Sequence, residues 1–98
     1  MNTITVKLPA DQAVLVTCLL HDLRVARAKH PQPYVDAHHA LGVLLEEVRK
    51  IETEVFKRRV NTEHLQRELL DTAVVCLRAI EDLTLPAPKP KSKHHEGI

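Results

Sequence analysis

Apolar side chains recur every three or four residues along most of this chain, a period that belongs to helices. Between Ala10 and Lys29 they fall at Leu15, Val16, Leu19, Leu20, Leu23 and Ala26, which share one face of a first helix. Pro9 suits a helix start, and Asp11 puts negative charge in the first turn, where the helix dipole favours it. The helix stops at "HPQPY", because Pro31 and Pro33 cannot continue it. Ahead of it, "ITVKL" at residues 4–8 alternates apolar and polar side chains and reads as a short extended arm.

Asp36 is an N-cap for a second helix, whose apolar positions are Ala37, Leu41, Leu44, Val48, Ile51 and Val55. This seam packs lengthwise against other helices and carries the helix to about Lys57. "KRRVN" is a tight connection, and Asn61 caps a third helix from about Thr62 to Leu83. Its stripe is Leu65, Leu69, Ala73, Cys76, Ile80 and Leu83. Val74, Val75 and Leu77 widen that stripe, so the third helix should be central. The predicted fold is all-α: a three-helix protomer with helices two and three in an antiparallel hairpin. Three helices with long apolar faces make an incomplete bundle, so a homodimer or higher even oligomer is expected to complete a four-helix core. The domain expectation is an arm over 1–9, a helical domain over 10–85 and a disordered Pro/Lys tail over 86–98.

Charge refines this picture. The tail takes three lysines and one glutamate, leaving 11 basic and 12 acidic side chains in residues 1–85. That balance argues against a nucleic-acid-binding domain. No apolar stretch approaches the ~20 residues a membrane span needs, and no signal peptide is visible at the N-terminus. Cys18 and Cys76 sit in apolar helical runs and read as buried free thiols, which fits a cytoplasmic protein. His21, among apolar neighbours, reads as partly buried.

"LLEEVRKIETEV", residues 44–55, supplies the candidate chemistry. If the hairpin turns near Arg59, residues whose numbers add to about 118 stand level. Glu47 then faces Asp71, and Lys50 faces Glu68, on two levels one helical turn apart. Each pair is spaced i, i+3 on its own helix and so shares a face, with Glu46 alongside. One reading is a charged face that meets water and pairs with Arg49, Lys50 and Arg67. The other is a magnesium site: clustered carboxylates need a neutralising cation, and Mg2+ prefers oxygen ligands and bridges to phosphates.

"HHALGVLLEEVRKIETEV" followed by "RELLDTAVVCLRAIEDL", with "RVARAKHP" upstream, resembles the MazG-like family of all-α nucleoside triphosphate pyrophosphohydrolases. The resemblance spans about residues 12–84; members of that family carry an E-E-x-x-E stretch on one helix and E-x-x-D on the next, matched here by Glu46 and Glu47 and by Glu68 and Asp71. It implies a helical bundle assembled through dimers, in which acidic motifs hold Mg2+ and nucleoside triphosphates are hydrolysed to the monophosphate and pyrophosphate. On these motifs Glu47, Glu68 and Asp71 are the metal ligands, Glu46 is the supporting carboxylate that orients or deprotonates water, and His38 matches a histidine at the start of the second helix.

Two positions depart from the pattern. Lys50 stands where the motif has its third glutamate and cannot bind magnesium. Glu52 stands where related proteins often have an aromatic residue. Lys50 has two readings: a substitute for the metal's charge, pairing with Glu47, Glu54 and Glu68, or a contact to a substrate phosphate. Arg24, Arg27, Lys29 and Arg67 are further candidates to neutralise a polyphosphate, and each also reads as a plain surface charge. The competing expectation is a degenerate bundle acting as an interaction or regulatory protein.

Overall fold

The computed structural model describes residues 3–83, and among these there are three helices and no strand. They are α1 (Ala10–Lys29), α2 (Ala37–Val55) and α3 (Thr62–Asp82). Both predicted caps form: the Asp36 carboxylate accepts from the His39 backbone N–H at 2.8 Å, and the Asn61 side chain accepts from that of His64 at 3.0 Å. Pro9 precedes α1 with no side-chain cap. The second helix ends at Val55, earlier than its pattern suggests, because Phe56 leaves the helix and begins the turn. Residues 3–9 have no regular structure, and the predicted tail lies outside the described residues.

α3 is the centre of the fold: it packs against α2 on one side and α1 on the other, while the backbones of α1 and α2 stay apart. The apolar core lies at the end of the hairpin away from its turn. Tyr34, Ala40 and Val75 are buried there, with Val43, Leu44, Ala79 and Leu83 packed against them. Arg78, also buried, ties the α1–α2 loop to this end: its guanidinium donates to the carbonyls of His30 and Gln32, at 3.0 and 3.1 Å, and lies 4.8 Å from the centre of the Tyr34 ring. The loop is held a second time by Asp82, which accepts from the Tyr34 N–H at 3.0 Å. Burial raises the Asp82 carboxyl, but the Tyr34 N–H and the Arg27 guanidinium outweigh it and hold the group below its ordinary value.

The predicted stripes are only partly the buried ones. Leu41 and Val55 on α2, and Leu69 and Ile80 on α3, are exposed. α1 buries no residue at all, and Leu15, Val16 and Leu20 are open. Cys18 and Cys76 are exposed rather than buried, and so is His21. The physical reason is that α3 has only α2 and α1 against it among the described helices, so these positions lie on faces that no other described helix covers. No described helix is long and apolar enough to cross a membrane.

Candidate metal centre

Toward the turn, the inside of the hairpin is built of charge. Glu54, on the last turn of α2, is the most buried side chain among the described residues, at 1% exposure. Its carboxylate accepts from the Asn61 backbone N–H at 3.2 Å, Lys57 Nζ at 3.1 Å and His64 Nδ1 at 2.6 Å. The Asn61 N–H first, then Lys57 and His64, hold it below its ordinary value against the cost of burial. Glu68, one turn beyond His64 on α3, is buried, and its Oε1 lies 3.3 Å from His64 Nε2.

Next along the hairpin stand Glu47, Glu68 and Asp71. One carboxylate oxygen from each lies within 4.8 Å of the other two. On an octahedral Mg2+ only one pair among three ligands can stand opposite, at about 4.2 Å, and the other pairs are about 3.0 Å apart, so the three side chains would have to close in to share one ion. The donor set suits a hard cation: all oxygen, from two helices held in fixed register. Glu47 supplies a further sign. Its Oε1 accepts from Lys50 Nζ at 3.2 Å, whereas its Oε2 is buried and has no hydrogen-bond partner among the described residues. An orphaned buried carboxylate oxygen is costly, and a cation would satisfy it.

Lys50 belongs to this group electrostatically. Its ammonium is pushed above the ordinary lysine value, first by the hydrogen bond and charge of Glu47, then by the charges of Glu68 and Asp71. The ion pair with Glu54 expected from their spacing does not form, because Glu54 turns into the hairpin and pairs with Lys57 and His64 instead.

A cavity of about 570 Å³ opens beside the trio, between α1 and the hairpin. Glu47, Lys50, Asp71, Lys29 and Arg67 line its charged side, and Val25, Val43 and Val74 are among its apolar walls. Asp22 of α1, which the sequence reading passed over, also reaches it and forms an ion pair with Arg67. Arg67 Nε lies 3.8 Å from Asp71 Oδ1.

Three expected site residues lie elsewhere. Glu46 is exposed and does not line this cavity, because successive helical residues point about 100° apart and Glu47 takes the inward direction. His38 is exposed in the first turn of α2, and its neighbour His39 is the one engaged, with Nδ1 accepting from the Val35 N–H at 3.0 Å. Arg27 turns away from the cavity to Glu81 and Asp82, each at 2.8 Å, and so fastens α1 to α3. Those two carboxylates, Glu81 foremost, raise the Arg27 guanidinium above its ordinary value.

No protein-family model matches the chain, and no curated protein or solved structure matches it.

Proposed function

We propose that the chain is a metal-dependent nucleoside triphosphate pyrophosphohydrolase of MazG-like type, using Mg2+ to convert a nucleoside triphosphate to the monophosphate and pyrophosphate. One observation carries this reading: Glu47, Glu68 and Asp71 converge within 4.8 Å beside a cavity of nucleotide size, with a buried Glu47 oxygen that has no partner among the described residues. Mg2+ held there would polarise a phosphoryl oxygen and make bound water a better nucleophile. The chain's own residues do the rest. Lys29, Lys50 and Arg67 bring positive charge to the polyphosphate, and the valine walls take the flat part of the substrate. Glu46 serves as water-orienting base only if its side chain swings over from the solvent side, so we assign it the weaker role.

The working form is a homodimer or higher even oligomer, in which a second copy covers the exposed Leu15, Val16 and Leu20 of α1 and completes a four-helix core. Two free thiols, Cys18 and Cys76, suit a reducing compartment, and we place the protein in the cytoplasm.

A second reading has its own observation. Lys50 Nζ, 3.2 Å from Glu47, supplies a positive charge to the acidic group without any metal. On that reading the chain is a degenerate bundle with an interaction role. Pyrophosphate release from a panel of nucleoside triphosphates with Mg2+ separates the two. Release by the natural protein, abolished in Glu68→Ala and Asp71→Ala, establishes the enzyme. Release only after Lys50→Glu establishes the degenerate relative, and release from neither sinks the hydrolase reading.

A further inference from the structure

Arg78 carries a positive charge into the apolar end of the cavity, where it is 5% exposed. A guanidinium keeps that charge at any pH the fold survives. Its Nη2 is spent on the carbonyls of His30 and Gln32, and its plane lies near the Tyr34 ring. Nε is different: it is buried and has no hydrogen-bond partner among the described residues. Asp82 is near enough for the two charges to interact, but its carboxylate already takes the Tyr34 N–H and Arg27. An unmet buried donor on a charged group is costly. Tying down the α1–α2 loop uses Nη2 and does not account for Nε.

Position along α3 indicates what would meet it. Arg78 follows Asp71 by two turns of the same helix, a rise of about 10 Å. Both line the one cavity, Asp71 with Glu47 and Lys50 at its charged side, Arg78 with Tyr34, Val74 and Val75. That separation is about the reach of a nucleotide from its phosphates to the far edge of its base. With the polyphosphate at the carboxylates, the base falls among the valines and against Arg78. A cationic N–H there calls for an acceptor on a flat, largely apolar body, and a base carbonyl oxygen is the strongest one available. Guanine, cytosine, uracil and thymine each carry such an oxygen; adenine carries an amino group and ring nitrogens only.

We infer that Arg78 is a specificity-determining residue, whose Nε–H donates to a carbonyl oxygen of the substrate base, so that the site takes nucleotides of guanine, cytosine, uracil or thymine and discriminates against adenine. The inference rests on the nucleotide reading above and deepens it, naming the class of base. Nε is covered from water, so meeting the oxygen takes a small turn of the guanidinium. Adenine in the same place leaves the buried donor unpaired, and it is that unpaired donor which rejects the wrong base.

The test is calorimetric titration of the full chain, with Mg2+, by the α,β-methylene analogues of guanosine, uridine and adenosine triphosphate, which resist cleavage at the bond concerned. Inorganic tripolyphosphate is the base-free probe. The natural protein should bind the guanosine and uridine analogues about 10–100-fold more tightly than the adenosine analogue. Arg78→Lys keeps the charge and can hold a loop carbonyl, but puts nothing at Nε. In it the preference should collapse to within about 3-fold, whereas tripolyphosphate should lose far less. A second measurement needs no variant, should Arg78→Lys fail to fold. In the 15N-labelled natural protein, the Arg78 Nε–H signal should shift and exchange more slowly with the guanosine analogue, and not with tripolyphosphate. Equal binding of the guanosine and adenosine analogues overturns the inference, as does a preference that survives in Arg78→Lys or an equal loss for tripolyphosphate. The hydrolase reading then stands if Mg2+-dependent pyrophosphate release persists in the natural protein. An Arg78-dependent base preference without pyrophosphate release from any nucleotide sinks the hydrolase reading and leaves this one. No binding of any nucleotide analogue overturns both.

Discussion

The α2–α3 hairpin has two halves made of the same two helices in one register, and they differ in what lies between them. Away from the turn the helices meet through Ala40, Val43, Leu44, Val75 and Ala79, with Tyr34 over them. Toward the turn they present Glu47, Lys50, Glu54, His64, Glu68 and Asp71. The first half is the small core that defines the protomer. In the second, Glu54 and Glu68 are buried and Glu47 is mostly so, beside half-exposed Lys50, His64 and Asp71; Glu54 is tolerated through three donors, and Glu47 has Lys50 on one oxygen. A helical pair gains stability from the apolar half and gives up some of it in the charged half, where like charges stand close together. That trade is typical of sites kept for function.

The sharpest break between the halves comes from placing a charge in each. Val75→Asp would bury an unpaired carboxylate in the apolar half, and urea unfolding should show a loss of about 3–5 kcal/mol. In the charged half the same kind of change should run the other way. Asp71→Asn removes one of three crowded carboxylates, so its urea midpoint should equal or exceed that of the natural protein, while Mg2+-dependent pyrophosphate release falls by about 10²-fold or more. Equal destabilisation by both substitutions would show that the acids are simply part of the structural core.

Acid should weaken the charged end and the loop attachment before the apolar core. Glu54 and Asp82 are both held below their ordinary values of 4.5 and 3.8. The stability they contribute is therefore fully present above those values and is lost as pH falls through the lower, folded-state values. Urea midpoints should stay level from about pH 7 to about pH 5 and then fall, and Glu54→Gln should fall less steeply. A smaller effect is expected at the partly exposed Arg27, whose bonds to Glu81 and Asp82 join α1 to α3. Arg27→Ala should cost up to about 1 kcal/mol, read as a lowered thermal midpoint, with no change in metal affinity. The smallest effect on the hairpin itself should come from Leu15→Glu with Leu20→Glu. Light scattering should show smaller particles, and the metal site should persist if each protomer carries a complete set of ligands.

Much of the fold was legible in the chain. Both N-caps, the proline stop after α1 and the central place of α3 follow from local chemistry and periodicity, because capping and helix-breaking act within a few residues. The register rule that sets Glu47 level with Asp71 also sets Glu54 level with His64, and the structure has those two in contact at 2.6 Å. The pair could have been found that way, but adjacent acids in the motif drew attention first. Arg27 and Glu46 were not legible, because a side chain's destination depends on neighbours from other helices. Arg27 found two carboxylates at the end of α3, and Glu46 is exposed to solvent.

The order and type of the helices, their starts and the gathering of acids about a common level were determined by sequence, since each depends on spacing along one chain or across one short turn. Only the tertiary structure decided which apolar faces were covered. With three helices, the inward positions of the hairpin were shared between a small aliphatic core and a set of charges, and parts of the stripes on α1 and α3 were left open. It also decided how the charges paired. The turn between α2 and α3 brought His64 onto Glu54 and left Lys50 to Glu47, because those were the partners within reach once the helices had docked.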